Sequence, residues 1–205
     1  MNEASPLSMR QIRALWLPLA LTWAMMAIEG PVLNAVISRL PEQRENLAAY
    51  GIAIGLAMII ESPIIMLLSA SITLVRDSES WQTLRRYAYR LCVWTTLGMI
   101  VVIIPPVFAF LTSSLLAIPP QLQGRLHDAL LCLLLWPAAI GYRRLYQGVM
   151  IARGRSSQVA VASISRVGSM ALMSLWLGST TQIQGVIVGA FSLGFGVFVE
   201  AIATR

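Results

Sequence analysis

The stretch from Leu17 to Leu40 reads LPLALTWAMMAIEGPVLNAVISRL, and Glu29 is its one charged residue before Arg39. A membrane-spanning helix needs about 20 predominantly apolar residues, and this stretch supplies them. A carboxylate is costly at that depth, where ionisable groups usually mark a pathway or a proton relay. The stretch therefore predicts a transmembrane helix that carries a chemically important acid.

Five further apolar runs follow the first one, separated by short polar connections at residues 38–46, 76–86 and 121–128 among others. Of the 205 residues, 57% are hydrophobic and 12% are charged, whereas soluble domains carry about 25% charged residues. We therefore expect an all-α membrane protein, organised as one six-helix lobe over residues 1–205. Its predicted spans are residues 12–37, 47–74, 87–116, 129–150, 158–177 and 183–203.

The positive charge of the chain follows the predicted topology. The net charge is +6, and every basic residue is an arginine. Eleven arginines lie at the two termini and in the second and fourth loops, against three on the other side. Because positive residues stay on the cytoplasmic side, both termini are predicted to be cytoplasmic, in an inner or plasma membrane. This distribution explains the basic character without a nucleic-acid partner.

Enzyme and metal signatures are missing from the sequence. It contains no glycine-rich phosphate loop, no GxSxG element and no histidine-based metal motif. His127 is the one histidine, and Cys92 and Cys132 both lie in apolar runs. We therefore predict a protein that is not an enzyme and that has no cofactor and no metal site.

Two acids within the apolar runs share a local pattern, Glu29-Gly30-Pro31 and Glu61-Ser62-Pro63. Proline removes a backbone donor and clashes with the preceding turn, so both helices are predicted to kink at Pro31 and Pro63. Carbonyls freed by a kink are tolerated where they line a wet cavity. Glu29 and Glu61 are thus candidates for binding a proton, a cation or a cationic substrate. The alternative is that each buried acid only fixes helix packing.

Four more polar residues are candidates for the same translocation pathway. Asn34 lies one turn beyond Glu29, and Arg166 lies too deep in the fifth run to reach the interface easily. We expect Arg166 to pair with an acid or to face a cavity. Arg143 and Arg144 are placed near the end of the fourth run, where either topology control or substrate contact explains them. Glu200, near the end of the sixth run, is expected to be interfacial.

Small residues recur at helical spacing in two places, Gly51 with Gly55 and Gly185 with Gly189. Glycines four residues apart allow two helices to approach closely within a bilayer. Both pairs are predicted to be packing positions of the helix bundle.

The sequence also resembles a known transporter superfamily. Leu17 to Leu40, followed by LAAYGIAIGLAMIIESPIIMLLSASITLVRD from Leu47 to Asp77, resembles the first two helices of the MATE-like exporters, most closely their progressive-ankylosis (ANK) branch. RRLYQGVMIARGRSS, from Arg143 to Ser157, is similar to the end of the fourth helix in many MATE proteins. The resemblance covers nearly the whole chain, but it corresponds to one lobe of a fold that has about twelve spans.

The resemblance implies a secondary exporter with alternating access and with cation coupling at the acid of the first helix, here Glu29. The ANK branch implies export of small anions such as pyrophosphate or organic acids, which Arg143, Arg144 and Arg166 suit. Membrane lipid, a small-molecule or ion substrate, and either a second copy or a missing six-helix lobe are the expected partners. A lipid-linked saccharide flippase and a non-transport subunit or scaffold are the alternative functions.

Overall fold

The apolar runs of the sequence form long helices in the computed structural model, which describes residues 8–180 and 182–204. Helices satisfy every internal backbone donor and acceptor, which is what a chain crossing lipid requires. The elements in chain order are α1 (Met9–Ile37), α2 (Gln43–Ile65), α3 (Leu67–Leu74), α4 (Ser78–Ile103), α5 (Pro105–Ala109), a π-helical turn (Phe110–Leu115), α6 (Pro120–Cys132), α7 (Trp136–Ala152), α8 (Ser156–Thr180) and α9 (Gly185–Ala203).

The helices form one bundle around a common apolar core. Helix α8 packs against α1 on one side and against α9 on the other, and α7 contacts α3, α4 and α9. Fully buried Leu33, Ala57, Leu126, Leu145 and Met170 bring five different helices into that core. At one end, Arg125 of α6 forms ion pairs with Glu42 (2.7 Å) and Glu45 (2.8 Å) and so joins α6 to the start of α2.

Large apolar side chains also cover the outside of the bundle. Trp16, Trp23, Trp94, Leu172 and Ile202 are each more than half exposed. Four helical segments are long and apolar enough to cross a membrane: Trp16–Ile37, Gln43–Leu74, Ser156–Thr180 and Gly185–Ala203. A fifth is obtained if α4 and the Pro105–Leu115 segment, which meet at a bend of 71°, are one span. The chain is therefore a multi-pass helical membrane protein, and the count of six spans stays a prediction.

Two connections that were predicted as loops are largely helical. Most of the polar stretch 76–86 forms the first turns of α4, because Asp77 caps this helix: its carboxylate accepts from the Ser80 amide at 2.7 Å. Hydrogen bonds from the Ser80 backbone and side chain hold the pKa of the Asp77 carboxyl below its usual range. Residues 121–128, including His127, lie in α6, which begins at Pro120, a residue that favours the first turn of a helix.

Pro31 and Pro63 lie inside helices, and the kinks predicted at these two residues stay predictions. Helix α1 continues without a break through Pro31, and α2 continues through Pro63 as far as a turn at Met66 that separates it from α3. The predicted run 129–150 is divided by a turn at residues 133–135, after which Pro137 lies at the start of α7. Proline fits the first turn of a helix because the amide it lacks would be unpaired there.

The two predicted glycine pairs have different surroundings. A side chain on Gly189 would collide with Ile37 and Tyr50, so α9 approaches α1 and α2 closely at this point. Gly51 and Gly55, in contrast, have open space around them and no neighbour within 4 Å among the described residues. Gly185 and Gly189 thus lie at a packing position, whereas Gly51 and Gly55 lie at no close helix contact within the described chain.

Candidate functional site

Glu200 is the centre of a polar cluster inside the helix bundle. Its side chain is 0% exposed, and it accepts hydrogen bonds from Arg143 (2.5 Å), Gln147 (2.9 Å) and Ser163 (2.7 Å). Three donors on two neighbouring helices therefore converge on one carboxylate of α9. A buried carboxylate is tolerated only when it is paired and hydrogen-bonded in this way.

Arg166 connects this carboxylate to a second one. Its Nε lies 3.2 Å from Oε2 of Glu200, and its terminal nitrogen forms an ion pair with Glu29 of α1. The Arg166 side chain is 3% exposed and that of Glu29 is 12% exposed, so Glu29 is the least enclosed of the acids and arginines in the cluster. We call Glu29, Arg143, Arg166 and Glu200 the charge network.

Helical spacing explains how the sequence brings these groups together. Arg143 and Gln147 are four residues apart on α7, and Ser163 and Arg166 are three apart on α8, so each pair lies on one helix face. Gly196, one turn before Glu200, allows α9 to approach α8. A Cβ atom there would lie 2.9 Å from the Arg166 carbonyl oxygen.

The charge network holds two carboxylates and two guanidinium groups. Its formal charge is therefore zero when all four groups are ionised, which lowers the cost of keeping them within the membrane. Its donors are not all satisfied, since Nε of Arg143 is buried and has no hydrogen-bond partner among the described residues. The network thus retains capacity for a further acceptor.

Glu61 and Arg144 lie beside the network without joining it. Both are buried, at 5% and 8% exposure, and the ion pairs between described residues include neither. Oε2 of Glu61 and Nε of Arg144 are buried without hydrogen-bond partners in the same part of the chain. Arg143 and Arg144 are the cations that act electrostatically on Glu61. This second region therefore carries charges of both signs that no direct bond joins.

The remaining predicted residues lie outside the network. Asn34 is exposed, and the side chain of Pro31 is exposed as well. Pro63, two residues after buried Glu61, is also exposed. Helix α1 turns its Leu33 and Ile37 side chains into the core, and a role of Asn34 in translocation stays a prediction.

The structure corrects the prediction for Glu200. Glu200 is not interfacial, because α7 and α8 pack around the last turns of α9 and exclude it from the surface. Arg143, for which topology control and substrate contact were both left open, turns inward to Glu200. Gln147 and Ser163 were not predicted as site residues, although the four-residue spacing of Gln147 from Arg143 was a usable signal.

No group of three or more histidine, cysteine, aspartate or glutamate residues within 8–180 and 182–204 is arranged to hold a metal ion. The polar atoms of the site are instead carboxylates, guanidinium groups, an amide and a hydroxyl. Such an arrangement can exchange protons and ion pairs between helices.

Comparisons with known proteins agree with this architecture. A scan against protein-family models finds no match, and a search of curated proteins finds no significant match. Among solved structures, the chain is similar to a multidrug resistance MATE family transporter of the MOP superfamily in an outward-facing conformation, with a TM-score of 0.69 and 16% sequence identity. The similarity covers 95% of this chain and 43% of the transporter chain. The chain thus spans less than half the length of that transporter, and its fold is that of one half of a MATE transporter.

Proposed function

We propose that the chain is one lobe of a secondary active exporter for a small organic or phosphate-containing solute, coupled to a proton or another cation. The observation that carries the proposal is the charge network, which joins four helices through buried ion pairs inside a MATE-like fold. Ionisable groups at membrane depth are costly and mark transport pathways and proton relays.

The network offers a physical basis for coupling. Arg166 has two carboxylate partners, and Glu29 is the more accessible one. If Glu29 binds a proton or a cation, its attraction to Arg166 falls and Arg166 keeps Glu200 as its partner. The bound ion therefore changes the energy of the α1–α8 contact, and such a differential interaction is what shifts a protein between two conformations.

A complete transport unit in this proposal contains a second lobe. The chain corresponds to 43% of the similar transporter chain, so the second lobe is either another copy of this chain or the missing six-helix lobe of a longer, twelve-helix protein. We place both termini on the cytoplasmic side of an inner or plasma membrane, because the arginine-rich loops support that orientation. Chemical crosslinking in membranes and mass measurement in detergent distinguish a dimer from a monomer.

Transport by the reconstituted chain tests the proposal. We expect proteoliposomes to accumulate a fluorescent organic cation when a pH gradient is imposed, and Glu29→Gln to reduce that accumulation by about 5- to 150-fold, the usual range of coupling between two sites. Glu79→Gln is the matched control, since Glu79 is exposed in the first turn of α4. Size-exclusion chromatography shows that both variants are folded.

The other outcomes separate the alternative functions. Normal gradient-driven transport by folded Glu29→Gln contradicts the coupling role of this residue. Movement of a fluorescent lipid-linked saccharide between leaflets, in place of a soluble solute, indicates a flippase. If no solute or lipid moves under any gradient, in the dimer or together with a second lobe, the chain is a membrane subunit or scaffold and the transport proposal is wrong.

A further inference from the structure

One cavity of the described chain is lined by none of the four residues of the charge network. It has a volume of about 740 Å³ and opens between α4, α7, α8 and the end of α9. A neighbouring cavity of about 410 Å³ shares Trp81, Val149 and Arg153 with it and extends to Arg76. We call the two cavities together the basic pocket.

Unpaired arginines surround the basic pocket. Arg153 and Arg155 line the larger cavity, and Arg76 lines the smaller one. None of these three side chains makes an ion pair or a hydrogen bond to another described residue. The one carboxylate in the lining, Asp77, is already used to cap α4. The pocket therefore has an uncompensated positive charge.

Backbone geometry directs two of these arginines to the same place. Gly154, between Arg153 and Arg155, has a φ of 71°, a conformation that side chains of L-residues disfavour. The sharp turn ends α7 and is followed at once by the first residue of α8, Ser156. Gln158, in the first turn of α8, also lines the cavity. The N-terminus of a long helix carries partial positive charge and attracts anions.

The rest of the pocket wall is apolar and aromatic. Trp81 and Tyr146 pack edge to face with their ring centroids 5.5 Å apart. Val149, Met150 and Val161 continue the wall along α7 and α8, and Val161 is 66% exposed on the outer surface of the bundle. A small inorganic anion makes no favourable contact with such an apolar wall, whereas the glycerol and first acyl carbons of a lipid can pack against it. Tryptophan is also enriched at membrane–water interfaces.

We propose that the basic pocket binds the phosphate headgroup of an anionic phospholipid, with the acyl chains along Val149, Met150 and Val161. Basic pockets between transmembrane helices on the cytoplasmic side suit such headgroups. The pocket also lies next to the charge network along the chain, since lining residues Ala162 and Ser165 adjoin Ser163 and Arg166. A lipid bound there holds α7, α8 and α9 together.

Lipid titration of the purified full-length chain in a neutral detergent tests the proposal. Native mass spectrometry counts bound lipid, and thermal unfolding reports stabilisation. We expect phosphatidylglycerol to bind and to raise Tm, and phosphatidylcholine of the same chain length to do neither. Arg153→Gln with Arg155→Gln is expected to weaken phosphatidylglycerol binding by about thirtyfold, because each arginine near a lipid phosphate contributes about 1 kcal/mol.

The matched control removes two exposed arginines elsewhere, Arg39→Gln with Arg44→Gln, and is expected to leave lipid binding unchanged. Arg153→Lys with Arg155→Lys keeps the charge and should retain most of the binding, which excludes misfolding as the cause of a loss. Free inorganic phosphate and glycerol phosphate provide the second arm of the test, and we expect neither to raise Tm at the lipid concentrations used.

Three results overturn the proposal. They are equal binding of phosphatidylglycerol and phosphatidylcholine, equal loss in the Arg39 and Arg44 control, and equal stabilisation by free phosphate, which assigns the pocket to a soluble anion. The readout is lipid binding and not transport, so the result is independent of the proposed exporter function.

Discussion

Glu29 and Glu61 stand in nearly identical sequence contexts, each two residues before a proline within an apolar run, yet their surroundings differ. Glu29 is paired with Arg166, which also contacts Glu200. Glu61 is more deeply buried, and one of its carboxylate oxygens has no hydrogen-bond partner among the described residues. A local motif therefore places an acid in the membrane, while the helices packed against it decide whether that acid is paired.

The largest loss of stability is expected from Glu200→Ala, because this substitution removes the carboxylate that pairs with both arginines of the charge network. Arg143 then loses its ion pair while it remains buried, and truncating one partner of a buried pair costs about 3–5 kcal/mol. Chemical unfolding in detergent micelles, followed by circular dichroism, measures the loss. Glu79→Ala on the exposed start of α4 is the control. A change below about 0.5 kcal/mol for Glu200→Ala contradicts the buried network.

A pair of double-mutant cycles compares the two acids directly. The cycle of Glu29→Gln with Arg166→Gln is expected to give a coupling free energy of about 1–3 kcal/mol, because these two groups are in contact. The cycle of Glu61→Gln with Arg144→Gln should give a smaller coupling free energy, because these two groups interact electrostatically but no direct bond joins them. Both are measured by the same unfolding assay. Equal coupling free energies in the two cycles contradict the conclusion that Glu29 is directly paired and Glu61 is not.

Gly196→Ala disturbs the packing around the charge network without removing a charged group. The added methyl group collides with the Arg166 carbonyl and with Met170, and overpacking of this kind costs about 1–3 kcal/mol. Gly168→Ala, on α8 with no neighbour within 4 Å among the described residues, is the control and should not destabilise the protein. If both variants unfold at the same denaturant concentration, close approach of α9 to α8 is not required.

The smallest effect on stability is expected from Glu61→Gln. The amide has the same shape, and no ion pair is lost, so the free energy of unfolding should change by less than about 1 kcal/mol. Transport by the same variant tests the coupling role that the sequence predicts for Glu61. Reduced transport with unchanged stability supports that role, whereas unchanged transport restricts coupling to Glu29.

Much of the fold could be predicted from residue patterns alone. Apolar run length was sufficient to identify α1, α8 and α9 to within a few residues, because a membrane-spanning helix needs about 20 predominantly apolar residues. The starts of α4 and α6 were missed for a different reason. Their first turns are polar, and helix formation there depends on the Asp77 cap and on Pro120, which are local effects that hydropathy does not register.

The candidate site was predictable only in part. Depth within a run correctly marked Glu29 and Arg166 as buried ionisable residues. Depth within a run failed for Glu200, which was expected to be interfacial, because the distance of a residue from the end of its run does not indicate which helices pack around that end. Burial of Glu200 depends on α7 and α8, and those contacts are tertiary.

The ion pair between Glu29 and Arg166 has a consequence for how the protein is made. Chains are synthesised from the N-terminus, so α1 reaches the membrane long before α8 and α9 exist. During that interval Glu29 has neither Arg166 nor the rest of the network, and a carboxylate alone at the centre of a helix disfavours insertion by about 3 kcal/mol. Pairing with Arg166 offsets that cost only after α8 has been synthesised.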